Sequence, residues 1–379
     1  MVDRGELEDS PTAAPAVRSL ATAGLRNLAD ATHPLTPRLT LVHGPNGAGK
    51  SSLLEGLCLA LTARSPRTAR QREAIAFGAR LARAEVELVG RSERSRFLWS
   101  VDRAGERRHL LDGKPAGPEA TRSRPSLAVF VPDRLELIKG GPGPRRARLD
   151  RLAGTLWPTR AAARERYRRA LGQRNALLAR ARGAAPPALD AWDLELAAAG
   201  IELARARREA VERIAGEFAA AASDLGLGTA ATIAYRPRSE AGSAEELAAE
   251  LRARREADLA RGFSTHGPHL DEVEIALGAR AVRRYASQGE QRAALLALLF
   301  AERRVLLEAT GTPPLMILDD VMSELDPERR ARLATRLLEG GGQALITATE
   351  PAHLPAEVER EELALRSGHP VPRSVREAA

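Results

Sequence analysis

The chain holds one cysteine, three lysines and few aromatic residues among 379 positions, and each shortage excludes something. A lone cysteine, Cys58, cannot close an internal disulfide, which suits a reducing compartment and points to a cytoplasmic protein. Aromatics at 3% supply little for the stacking platforms that bind single-stranded nucleic acid. No uncharged apolar run approaches the roughly eighteen residues of a membrane helix, so no membrane association is expected. Residues 1–15 carry Asp3, Glu6, Glu8 and Asp9 without an apolar core; they read as a disordered tail and not as a secretory signal.

Because only Lys50, Lys114 and Lys139 are lysines, the net charge of +8 is almost entirely arginine, and arginine-favouring codon usage accounts for part of it. Local excess is more telling. Arg160 to Arg182 holds eight arginines and one acid, Glu165, and Lys139 to Arg151 holds five basic residues against Asp150. Such clusters suit phosphate backbones, or else they are solvated helix faces.

Gly44-Pro45-Asn46-Gly47-Ala48-Gly49-Lys50-Ser51 fits G-x-x-x-x-G-K-[ST] between a strand-like run, Leu39 to Val42, and a helix-like one, Ser52 to Leu61. That context defines a phosphate-binding P-loop. Backbone N–H groups of the loop and of the following helix start, Ser52 included, form a concave anion site. Lys50 adds a point charge for the outer phosphates, and the Ser51 hydroxyl suits Mg²⁺, which prefers oxygen ligands. Leu53, Leu54, Leu57, Cys58 and Leu61 recur at helical spacing, so one face of the helix should be buried, Cys58 with it.

Strand-like text around the P-loop gives way at about Thr159 to Ala/Leu/Arg/Glu-rich segments of high helix propensity, broken at 185–187 and 226–228. At 1.5 Å per residue these segments allow an arm of at most about 75 Å, so a long coiled coil is excluded. Later, Leu315-Met316-Ile317-Leu318 closes on Asp319-Asp320, and Ala344 to Thr347 forms another apolar run. Both read as strands buried on two faces. Acids at the C-terminal end of such a strand lie at the crevice where open α/β sheets bind ligands. Asp319 is the expected Mg²⁺ ligand, with Ser51; Asp320 is the expected catalytic group that orients or deprotonates the attacking water, with Lys50 stabilising charge. Ser287-Gln288-Gly289-Glu290-Gln291 opens a further helix and is either a second anion site or an ordinary N-cap.

P-loop, long insertion, S-x-G-x-Q helix start, then Asp-Asp and Ser323-Glu324-Leu325-Asp326: this order is the layout of ABC-type ATPases, SMC proteins among them. More closely, the chain resembles the RecF family of bacterial DNA replication and repair proteins from about Val17 to Glu350. The resemblance rests on the P-loop, Gly24-Leu25-Arg26-Asn27, Ser65-Pro66-Arg67-Thr68, Pro132-Asp133 through Leu149-Asp150, Gln173-Arg174-Asn175, Thr265-His266-Gly267-Pro268-His269, Ala286 to Arg292, and Leu318 to Asp326.

The resemblance implies an α/β fold: an ABC-type P-loop ATPase head whose nucleotide-binding lobe, 16–158 and 311–379, is interrupted by a helical lobe, 159–310, carrying the signature helix. It implies ATP with Mg²⁺ and an ATP-dependent homodimer in which Ser287, Gly289 and Gln291 meet nucleotide held by the other subunit. It implies binding to double-stranded DNA near gapped junctions, work with RecR and RecO, and loading of RecA on strands coated by single-strand-binding protein. Hydrolysis should be weak and DNA-stimulated, since Asp320 is one methylene shorter than Glu. A structural SMC-like tether and a catalytically silent RecF-like scaffold are the alternatives.

Arg67 is either a nucleotide contact or a structural ion pair, and Asp133 either an interlobe loop residue or a surface turn. His266 and His269 lack a third ligand, so no metal is assigned to them. Against the family pattern, Leu25, Arg148 and Tyr285 replace aromatics and read as core substitutions. Leu270 replaces an arginine and removes its polar contact. No histidine follows the last core strand within Thr347-Ala348-Thr349-Glu350, so no histidine switch is assigned.

Overall fold

The computed structural model describes residues 15–90, 93–117, 120, 123–131, 135–181, 185–228, 231–323, 325–339 and 341–371. The tail expected at 1–15, apart from Pro15, lies outside these residues, as do Asp133 and Glu324.

The chain first forms β1 (Ala16–Ala23), β2 (Ala31–Pro34), β3 (Leu39–His43), α1 (Lys50–Thr62), β4 (Leu81–Val89), β5 (Arg94–Asp102), β6 (Arg107–Leu111), β7 (Lys114–Pro115) and β8 (Leu127–Phe130). It continues through α2 (Glu136–Lys139), α3 (Pro142–Leu156), α4 (Ala161–Arg180), α5 (Ala188–Asp224), β9 (Ala231–Arg236), α6 (Ala244–Ala253), α7 (Arg255–Arg261), β10 (Glu272–Leu277), β11 (Arg280–Ala281), α8 (Val282–Tyr285) and α9 (Gln288–Thr310). Then come β12 (Leu315–Leu318), α10 (Pro327–Glu339), β13 (Ala344–Ala348), β14 (Glu361–Arg366) and β15 (His369–Pro370). Residues 1–133 and 311–379 form one compact unit and 134–310 another. The division falls at 133/134, ahead of the composition shift at 158/159.

The first unit contains two sheets. One is antiparallel, ordered β2-β1-β4-β5-β6-β7; the other is ordered β15-β14-β3-β13-β12-β8 and is parallel except for β15. Every residue of β12 and β13 is buried, as their unbroken apolar text requires. Helix α1 differs from expectation. It is covered almost all round, Leu59 and Ala60 as well as Leu53, Leu54, Leu57 and Cys58, because it packs on strands of both sheets. Gln343 joins those sheets: its amide accepts from Val17 N at 2.8 Å and donates to Val17 O at 2.7 Å, so its burial leaves no polar group stranded there.

The second unit is built around α5, whose 37 residues span about 55 Å. Strand β9 lies inside the segment that composition marks as helical: Thr232, Ile233 and Tyr235 favour a strand, and pairing with β10 supplies its ladder. Arg174 is fully buried and donates to Asp193 and Asp258 at 2.6 Å each and to Ser264 at 2.8 Å. Asn175 accepts from Ser264 N at 2.8 Å, so the blocks around 174 and 265 meet as interior structure.

Candidate functional site

The loop after β3 delivers the N-terminus of α1 into a cleft of about 840 Å³ whose lining includes Arg26, Asn46, Lys50, Asp320, Arg72 and Phe77. Gly49 caps the helix at φ +103°, and a Cβ there would come within 2.7 Å of Leu28 Cδ2. No side chain caps α1 and no acid lies in its first turn, so its leading N–H groups and positive dipole end remain available to an anion.

Lys50 is 8% exposed and donates to the carbonyl oxygens of Gly44 at 2.6 Å and Pro45 at 3.1 Å. Burial draws its pKa below the ordinary lysine value, against the opposing fields of Asp320 and Asp319. Ser51 Oγ donates to Asp319 Oδ1 at 3.0 Å, so the two residues expected to hold Mg²⁺ meet across 268 positions of sequence. A hydroxyl beside a carboxylate is the oxygen donor set that this cation prefers, so the residues fit the ion. Thr347 Oγ1 donates to the same Oδ1 at 2.7 Å and accepts from Asp320 N at 2.8 Å. Asp320 adopts φ +48°, a left-handed conformation sparsely used by residues with side chains, and its buried Oδ1 has no hydrogen-bond partner among the described residues.

Sequence reasoning assigned no role to Glu55, Asn27 or Thr347. Glu55, fully buried on α1, accepts from Arg26 Nε and Nη2 at 2.9 Å each, from Ser65 Oγ at 2.6 Å and from Arg67 Nη1 at 3.4 Å. Arg67 thus forms the ion pair of one reading and also lines the cleft. Asn27 donates to Gly47 O at 2.6 Å and accepts from Ser52 Oγ at 2.8 Å, which ties the loop to the helix. An acid in the otherwise uncharged stretch after Lys50 was the available signal for Glu55. Gly368, in the turn between β14 and β15, donates to Ala48 O and accepts from Ala29 N, each at 3.0 Å.

In the second unit, Ser287 and Glu290 form a reciprocal capping box: Ser287 Oγ accepts from Glu290 N at 3.2 Å, and Glu290 Oε2 accepts from Ser287 N at 2.7 Å. Ser287 and Gly289 are exposed, and a Cβ on Gly289 would meet nothing within 4 Å. Gln291 instead turns inward, 6% exposed, and donates to Ala286 O at 3.1 Å.

Three of the five basic residues at 139–151 turn inward to partners in the same unit, against both readings of them, while Lys139 and Arg151 are exposed. Arg145 donates to Glu272 at 2.8 Å, Arg146 to Asp271 O at 2.7 Å, and Arg148 makes a buried bidentate pair with Glu302. In the other run, Arg160, Arg164, Arg166 and Arg168 are ion-paired, whereas Arg169 and Arg180 are exposed with no salt bridge among the described residues. His266 bonds Glu250 at 2.5 Å, and His269 bonds Tyr167 OH at 2.8 Å. Of the aromatic replacements, Leu25 is in the core and Arg148 is buried through its ion pair, but Tyr285 is exposed and is no core substitution. Leu270 is exposed.

The parallel sheet, the P-loop helix and the paired acids that follow β12 define an ABC-type ATPase head of the SMC-like class. The RecF/RecN/SMC N terminal domain family matches the chain over residues 16–360. The DNA replication and repair protein RecF of Anaeromyxobacter sp. (strain Fw109-5) is 40% identical over 342 residues, 88% of this chain and 92% of that protein. RecF of Myxococcus xanthus (strain DK1622) is 37% identical, over 86% of this chain and 88% of its own length. The chain belongs to the RecF family of DNA replication and repair proteins. In fold it is similar to the solved RecF–ATP structure of the RecFOR pathway, with a TM-score of 0.82 at 24% identity over 96% of this chain and 99% of that one. It is less similar to an Smc head bound to the C-winged helix domain of ScpA, with a TM-score of 0.58 at 16% identity over 94% and 96%. Among the described residues, no helix is long and apolar enough to cross a membrane.

Proposed function

We propose that the chain binds ATP with Mg²⁺ in the P-loop cleft and pairs, through that ATP, with a second copy of itself. The observation that carries this reading is the meeting of Ser51 and Asp319 beside the unpartnered Asp320 carboxylate oxygen. Ser51 and Asp319 hold the ion, which would neutralise charge on the outer phosphates; Lys50 and the α1 N-terminus hold the phosphates. Asp320 orients the attacking water, and Arg26 and Arg67, anchored on Glu55, face the same cleft. Ser287 and Gly289 of the partner subunit close over the γ-phosphate, while Gln291 supports their loop from within its own unit. The open space above Gly289 and the exposure of Ser287 support that role.

The dimer clamps double-stranded DNA near single-strand gaps through phosphate contacts, to which the exposed Arg169 and Arg180 on one face of α4 contribute. With RecR and RecO it helps load RecA on strands coated by single-strand-binding protein. Weak, DNA-stimulated hydrolysis then releases it, and the protein acts in the cytoplasm. The naming of the relatives as DNA replication and repair proteins supports this assignment.

Sedimentation and duplex binding with and without ATP test the reading, comparing the wild type with Lys50→Met and Gly289→Asp. The latter adds a charge where this chain has room for it and where only a docking partner would be disturbed. ATP-dependent dimers that bind DNA, lost in both variants, are the expected result. Dimerisation and DNA binding that ignore ATP would leave a RecF-like scaffold and end the switch mechanism.

A further inference from the structure

We infer that Thr347 is the positioning residue of the metal and water site: one buried hydroxyl sets both acids at the end of β12. The inference rests on the nucleotide reading above and deepens it. Thr347 is the next-to-last residue of β13, where it is fully shielded from solvent and aligned with Val42 of β3. Its hydroxyl has a single proton, which goes to Asp319 Oδ1, and its lone pair receives the Asp320 N–H. The two contacts have different consequences.

The first fixes the Asp319 carboxylate. Asp319 N is already held by Phe130 O at 2.9 Å, so backbone and side chain are both anchored, and Oδ1 is presented to Ser51 in one orientation. Outer-sphere donors of this kind orient the groups that ligate a metal. The second contact fixes a backbone turn. Asp320 stands at φ +48°, a conformation that persists only when its surroundings over-determine it, and the Thr347 oxygen is the partner of its N–H. The turn directs the Asp320 side chain into the cleft. Without the hydroxyl, Asp319 loses a donor, Asp320 N loses its acceptor, and both acids are free to reorient together.

Thr347→Val keeps the branched shape and removes the hydroxyl; Thr347→Ser keeps the hydroxyl and removes the methyl. ATP binding would be measured in EDTA and again across a Mg²⁺ titration, with steady-state hydrolysis as a separate readout. Binding in EDTA should be unchanged in both variants, since the P-loop supplies it. In the Val variant, Mg²⁺-dependent binding should weaken on the order of 10–100-fold, as for other partners of metal ligands, and kcat should fall with it. The Ser variant should stay close to wild type.

Equal impairment of Val and Ser variants would assign the effect to packing and overturn the inference. So would a folded Val variant with wild-type Mg²⁺ dependence and turnover. Should the Val variant not fold, Thr347→Ala against Thr347→Ser makes the same comparison, with the Ser variant expected to bind Mg²⁺·ATP at least tenfold more tightly; equal affinities would overturn it. A wild-type chain that binds no ATP in either condition removes the nucleotide reading itself, an outcome distinct from failure of Thr347 alone.

Discussion

Lys50 in the first unit and Arg174 in the second are both cations withdrawn from water, and their surroundings differ in kind. Arg174 has two carboxylates and a hydroxyl within 2.8 Å, all from its own unit. Among the described residues, Lys50 has two backbone carbonyls as hydrogen-bond partners, while the Asp320 carboxylate that shares its cleft keeps an oxygen without one. A buried charge with a full set of partners is interior structure; a buried charge left short beside a cleft is set up for something that arrives later. Partner accounting therefore separates the two regions where residue type does not.

The comparison is broken most severely at the cleft. Asp320→Asn should lower hydrolysis by about 10²–10⁴-fold, the usual contribution of a positioned general base, while ATP binding and the melting of both units stay near wild type. A fall in stability of the same order would mean that Asp320 is structural like Arg174. In the second unit, Arg174→Leu leaves Asp193 and Asp258 buried with a lost partner and should cost about 3–5 kcal/mol, read as early unfolding in denaturant. Nucleotide binding by the folded fraction should be unaffected.

Gly368 tests whether the cleft depends on remote backbone. It stands at φ +81°, and a Cβ would lie 2.2 Å from Asn27 O, so Gly368→Ala should cost roughly 1–3 kcal/mol of strain and weaken nucleotide binding. Binding at wild-type strength would show that the hairpin is separable from the P-loop. The Arg148–Glu302 pair sharpens the contrast from the other side. Either single change to Leu should destabilise by about 3–5 kcal/mol, whereas both together should be near neutral, a pattern that chemical denaturation of the three variants reads directly.

The smallest effect is that of pH. Burial holds His33 in the first unit and His269 in the second below the ordinary value of 6.5. The folded chain thus resists a proton that the unfolded chain accepts. Their contribution is complete above about pH 6.5 and is lost as pH falls through the lowered folded values. Melting at pH 5.5 should begin earlier than at pH 7.5, and His33→Leu should flatten that dependence.

Much of the cleft was legible because its chemistry is local. The P-loop, the apolar run before Asp319 and the buried Cys58 helix each declare themselves within about a dozen residues. What escaped was non-local. Thr347 reads as ordinary strand text, and only the fold brings it to Asp319; Gln343 gains its role from Val17, 326 positions away. The α1 helix looked one-sided because its second cover, the antiparallel sheet, is not written in its own periodicity. The basic run at 139–151 misled in part for the opposite reason: a run counts charges, and the acids that neutralise Arg145 and Arg148 lie more than a hundred residues downstream.

The hairpin of β14 and β15 has a consequence for how the protein comes into being. A chain emerging from the ribosome exposes its P-loop early, but β12 and β13, which bring Asp319 and Thr347, come only after the whole second unit, and Gly368 comes later still. Until β13 and β14 insert beside β3, and β12 beside β13, Ser51 has no Asp319 and Ala48 has no Gly368. A truncated product therefore carries the P-loop motif and not the completed cleft.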